Sequence, residues 1–234
     1  MYFEKIKHIS LINNWENSEL FGNSETLILG SFNPYNTFSQ EKNADYYYGR
    51  QTNHLWKIIA SLLGKETDYF FNNIDRKYEV MYKYKFSFMD VIDSIDISAN
   101  DNEILNEYIS NNIFKNYLDQ KLFTSKTSFK DHKIEIKRNY NQRIINILES
   151  KNLKKVIHTM GNNRIKFDFS TSPKEIGLGN DGFQNFIKSI KNHSIEFVNS
   201  SFSPSSYAVN KGGSEYKKHL NESMDEKKIK LVII

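Results

Sequence analysis

Four short apolar runs, each parted from the next by residues of helical periodicity, constrain this chain more than any other feature of its sequence. The first, Thr26–Gly30 (TLILG), is entered from a polar turn at Gly22 and Asn23 and left through an irregular stretch containing Pro34, so it reads as a buried strand. Residues 86–92 (FSFMDVI), 155–160 (KVIHTM) and 195–199 (IEFVN) read as three more. Between the first two runs Leu55, Ile58, Ile59, Leu62 and Leu63 recur at helical spacing, with Asn53 placed to cap the start and Gly64 to end it. Residues 102–118, 140–149 and 182–191 carry further helical patterns. Strands alternating with helices predict an α/β chain, a three-layer α/β/α sandwich around a four-stranded, mostly parallel sheet. In such a fold the ligand site lies beyond the carboxyl ends of the strands.

Length and composition narrow the reading. With 234 residues, 38% of them hydrophobic, residues 1–234 suffice for one sizeable core without demanding a second domain. No apolar run approaches the roughly 20 residues needed to span a bilayer, and the first ten residues lack the features of a secretory signal, so a cytoplasmic protein is expected. The absence of cysteine excludes disulfides, a thiol nucleophile, thiolate zinc sites and iron–sulfur clusters. A net charge of +4 suits a polyanionic partner without requiring one. Residues 119–139, with Lys121, Lys126, Lys130, Lys133, Lys137 and Arg138, read as a basic loop or hairpin insertion, and the lysine-rich stretch 217–230 as a solvated helix face or a DNA contact. None of the six histidines has metal-ligand spacing, and each reads as structural; the phosphate-binding glycine motifs GxxxxGK[ST] and GxGxxG are absent. Neither a metal nor a cofactor is expected.

The segments LILGSFNPYN (27–36) and YYYGRQTNHLWKIIASLLG (46–64) together resemble the first signature of the uracil-DNA glycosylase superfamily. There an apolar strand ends in a glycine-started turn with Asn-Pro or Asp-Pro-Tyr. A loop with an aromatic residue follows, and then a helix opening with Asn and Trp. Asn33-Pro34 is similar to the mismatch-specific uracil/thymine branch, and Tyr35 to the tyrosine of the Asp-Pro-Tyr branch. SFMDVID (87–93) with SANDNEI (98–104) resembles stretches of the hypoxanthine-type branch, and SSFSPSSY (200–207) its late Ser-x-Ser-Pro loop. The similarity is discontinuous and runs from about residue 25 to 210.

That resemblance implies a monofunctional glycosylase that flips a base out of DNA and hydrolyses its N-glycosidic bond. The bond breaks through an oxocarbenium-like state, so the site must stabilise a positive sugar, activate a leaving base and hold one water. Asn33 would orient that water, since an amide cannot take up its proton. Asp90 would accept from a base or assist the water, or else cap a helix. Tyr48 would stack on the flipped base and Tyr35 line its pocket, while Asn53 would contact base or backbone or simply cap its helix. Gly161 and Asn162 would face the pocket or form a plain turn. Ser201, Ser203 and Ser205 would grip phosphates, with Tyr207 or Phe202 as a wedge in the vacated stack. The implied partner is DNA, bound by a monomer. Candidate substrates are uracil or thymine opposite guanine, a deaminated base, or a hypermodified phage cytosine. A non-catalytic DNA-binding protein and a hydrolase of small nucleosides are the rival classes.

Overall fold

β2 (Thr26–Gly30) is buried at every residue because it lies between two parallel neighbours, β3 (Phe86–Asp90) and β7 (Lys155–His158). β7 pairs in parallel with β8 (Glu196–Asn199), which gives a four-stranded sheet of order β3-β2-β7-β8. The computed structural model describes residues 1–15, 18–110, 126–149, 152–158 and 195–199, and the fold is stated for these.

A second sheet departs from the expectation of one. β1 (Tyr2–Lys7), β4 (Ile92–Ala99), β6 (His132–Tyr140) and β5 (Lys126–Phe129) form an antiparallel sheet of order β1-β4-β6-β5. The single run expected over 86–92 is therefore two strands. Val91 N–H donates to Gly30 O at 3.0 Å and Ile92 N–H to Ser31 O at 3.1 Å, and there the chain leaves the parallel sheet for the antiparallel one. Within β4, past the register shift between Ile92 and Ser94, the sequence from Ile95 to Ala99 (IDISA) alternates apolar and polar, the period of a strand buried on one face. Residues 126–140 form a hairpin whose second strand pairs with β4 and buries Ile134 and Ile136. Arg138, counted from sequence among the basic residues of this stretch, is only 3% exposed.

Six α-helices are described: α1 (Ile9–Asn13), α2 (Ser18–Asn23), α3 (Leu55–Leu62), α4 (Ile74–Tyr84), α5 (Asn102–Ser110) and α6 (Arg143–Leu148). The expected helix over 140–149 is shorter at its start, since Tyr140 completes β6 and the Asn141 carboxamide accepts from Arg143 N–H at 3.2 Å. α4 went unpredicted; Asn73 caps it by accepting from Arg76 N–H, and Lys85 closes it in a left-handed conformation (φ 53°). The expected helix over 182–191 lies outside the described residues.

Alternation along β2 divides the core. Leu27 and Leu29 join Met89, Val156 and the isoleucines of β4 and β6, together with Leu105, Tyr108 and Ile109 of α5. Ile28 faces the other way, to Phe86, Phe88, Tyr46, Tyr47 and the apolar residues of α3. Each such fully buried side chain contributes about 1.5–3 kcal/mol. Among the described residues no helix is long and apolar enough to cross a membrane.

Candidate functional site at the carboxyl edge of the parallel sheet

The chain leaves β2 toward β3 on one side and later comes back, at β7, on the other. The carboxyl end of β2 is therefore a topological switch point, where open α/β sheets place their ligands. Gly30 ends β2 there and pairs in register with Asp90 at the end of β3. A methyl group at Gly30 would collide with the Asp90 carboxylate and come within 2.6 Å of the Tyr48 hydroxyl. Glycine is thus what allows these two groups to converge over the strand end.

Asp90 is 7% exposed and does not stand alone. His8, itself 1% exposed, lies with Nε2 2.7 Å from Asp90 Oδ2. The tautomer follows from the other ring nitrogen. Ser10 N–H can only donate, and it donates to His8 Nδ1 at 3.1 Å, with the Ser10 hydroxyl 2.7 Å from the same atom. Nε2 therefore carries the proton and donates it to Asp90. The ring is held in place by stacking on Tyr47 (5.7 Å between centroids, 27° between planes) and by Phe32 at 5.7 Å. The Asp90 backbone carbonyl accepts from the Asn141 carboxamide at 3.2 Å. Side chain and backbone of Asp90 are thus both tied down.

The turn after β2 is fixed against β1 and α1. Ile9 N–H donates to Asn33 O at 2.9 Å and Tyr35 N–H to Lys7 O at 3.0 Å. Asn33 is half-buried, and its amide oxygen accepts from the Arg50 guanidinium. An amide oxygen has two lone pairs, so one remains for a water. Burial pulls the Arg50 guanidinium down to about 10, against the nearby Asp90 carboxylate, which works the other way. Arg50 thus links the two residues assigned from sequence to the chemistry.

The three tyrosines divide by depth. Tyr46 and Tyr47 are core residues, 0% and 1% exposed, whereas Tyr48 is half-buried, packs against Phe88 at 5.3 Å and has φ 57°. A left-handed aromatic residue is uncommon, and such conformations concentrate at functional sites. The N-cap of α3 is His54 and not the expected Asn53, which stands one residue earlier and accepts from Leu55 N–H at 2.9 Å; Asn53 also lines a cavity of about 180 Å³ beside Tyr48, Arg50 and Trp56. Tyr35 is half-buried and belongs to the apolar cluster on the Ile28 face.

The structure therefore brings Asp90, Asn33 and Tyr48 together through Gly30 and Arg50; of the residues expected at the site, Tyr48 and Asn53 line the cavity, and Asp90, Asn33 and Tyr35 do not. Gly161, Asn162, Ser201, Ser203, Ser205 and Tyr207 lie outside the described residues. His8 and Arg50 were missed from sequence. Among the described residues no group of three or more histidine, aspartate or glutamate side chains could hold a metal ion. In comparison with known proteins, no family model matches the chain, and no curated protein or solved structure matches it significantly.

Proposed function

We propose that this chain is a DNA glycosylase, which draws a damaged or modified base out of DNA and hydrolyses its N-glycosidic bond to leave an abasic site. In this reading the parallel sheet is the centre of a three-layer α/β/α domain of the uracil-DNA glycosylase type, acting on DNA as a cytoplasmic monomer. The observation that carries it is the buried Asp90 carboxylate, fixed by His8 and converging with the Tyr48 hydroxyl over Gly30, beside the Asn33 turn.

The arrangement supplies what the reaction needs. A fixed carboxylate stabilises the positive sugar of an oxocarbenium-like state and can take the proton of an attacking water. Asn33 offers its remaining lone pair to orient that water. Arg50 supplies positive charge next to the site, where a leaving base takes up the electrons of the broken bond. Asp90 is thus the group that can act as a base, and Asn33 positions.

Abasic-site formation tests the reading. On a duplex carrying the cognate base, Asp90→Asn should slow it by about 10²–10⁴-fold, the range for loss of a general base. Asn33→Ala should slow it by about 10²-fold, the cost of a misplaced reactant. Activity of both variants at the wild-type rate would reject the assignment.

A further inference from the structure

The antiparallel sheet has two unlike faces. Ile6, Ile95, Ile97, Ile134 and Ile136 point to one side, where they pack with Leu105, Tyr108 and Ile109 of α5. Side chains alternate along a strand, so the residues between these isoleucines point the other way. Register sets them in rows across β1, β4 and β6: Lys7, Ser94 and Asn139 in the first, Lys5, Asp96 and Lys137 in the second. All three lysines are exposed. Between them Asn139 Nδ2 donates to Ser94 Oγ at 3.1 Å, a pair of short side chains that leaves the face flat.

Lys5 Nζ lies 3.6 Å from Asp96 Oδ1, whereas Lys7 and Lys137 form no ion pair with any described residue. Farther along, Lys133 is bound to Glu135. Among the described side chains of β1, β4 and β6, unpaired positive charge therefore gathers at the end of this face next to the candidate site. Lys7 precedes His8, and its carbonyl accepts from Tyr35 N–H in the turn that carries Asn33. Asn139 lies just before Asn141, whose carboxamide donates to the Asp90 carbonyl. Lysine on an edge strand such as β1 blocks pairing with another chain, but β6 is an inner strand and Lys137 has no such task.

Strand geometry sets the scale. Successive rows stand about 7 Å apart and β1 stands about 10 Å from β6, so the three lysines span a flat triangle of the size of neighbouring phosphates on a nucleic-acid strand. An ammonium meets a phosphate as a point charge and needs no fixed fork geometry. We propose that this sheet face binds the sugar–phosphate backbone of duplex DNA beside the candidate site, with Lys7 and Lys137 each neutralising one phosphate. That the DNA held here is the one from which a base is released rests on the glycosylase reading; that the face holds DNA backbone does not.

The experiment measures binding of the full-length protein to a labelled duplex by fluorescence anisotropy, between about 50 and 200 mM salt. Lys7→Gln combined with Lys137→Gln removes two charges and breaks no ion pair with a described residue. The slope of log K against log salt should become shallower by about 1.8, at about 0.9 for each phosphate contact, and affinity at the lowest salt should fall about tenfold or more. Lys65→Gln combined with Lys83→Gln makes the same change in charge beside α3 and on α4, which pack on the Ile28 side of the parallel sheet, and should leave the slope as it is. Thermal unfolding confirms that each variant is folded. An unchanged slope in the folded Lys7 and Lys137 double variant, or an equal change in the other, would overturn the proposal. So would binding of the wild type to vesicles of anionic phospholipid but not to duplex. Abasic-site formation with an unchanged slope removes this inference and leaves the glycosylase. The expected slope change without abasic sites on any duplex removes the glycosylase and leaves a DNA-binding face.

Discussion

His8 and Asp90 are 82 positions apart in the chain, and their hydrogen bond is the contact on which the site's geometry depends most. The carboxylate was visible in the sequence as a charge at the end of an apolar run, where an unpaired acid would be costly. Its partner was not, because a lone histidine ending YFEKIKH carries no spacing that points to a residue on a different strand. Arg50 was hidden for the same reason, 17 positions from Asn33. Replacing His8 should therefore read out through Asp90. His8→Phe keeps a ring against Tyr47 but removes the donor, and kcat for base release should fall about tenfold or more with KM little changed. His8→Gln restores an N–H near the Nε2 position and should recover most of that loss. Equal losses in both variants, or a change confined to KM, would mean that His8 only fills space.

At the scale of elements, β2 was legible to the residue because an apolar run bounded by turn signals has few other fates. β1 was not read as a strand, since only Ile6 of its six residues is buried and the rest carry no core-facing pattern. α4 was missed because its sequence IDRKYEVMYKY buries Lys77 where a hydrophobic residue is expected. The starts of three strands are tied by one acid. Glu25, just before β2, binds Lys85, just before β3, at 2.8 Å and Lys154, just before β7, at 2.7 Å. The hydrogen bond from Lys154, followed by that from Lys85, lowers the Glu25 carboxyl from 4.5 to about 2. A depressed carboxyl stabilises the fold above its unfolded value and loses that contribution as pH falls toward the folded one. Glu25→Gln should thus lower stability at pH 7 by about 1 kcal/mol or less, as partly exposed pairs do. The difference from wild type should vanish between pH 4.5 and about 2, as followed by urea unfolding. A constant difference across that window would show that the pair contributes nothing electrostatic.

Across the whole molecule, the order of strands and helices was enough to anticipate a parallel sheet, at whose carboxyl edge the site is proposed. The antiparallel sheet was not anticipated. Two of its inner residues, Ile134 and Ile136, lie in a stretch so rich in lysine that charge masked a two-residue period. If the chain acts on DNA, affinity for duplex should fall steeply as salt rises, with log K declining linearly in log salt by about 0.9 per phosphate neutralised. Salt-independent binding in a mobility-shift assay would point instead to a small-molecule substrate.

The most direct test is strand cleavage after alkali, on a panel of labelled duplexes and phage genomes carrying different bases, with wild type and Asp90→Asn run side by side. The account predicts a break at one class of base with wild type and almost none with the variant. It is contradicted if wild type leaves no abasic site in any substrate, or if the variant cuts as fast.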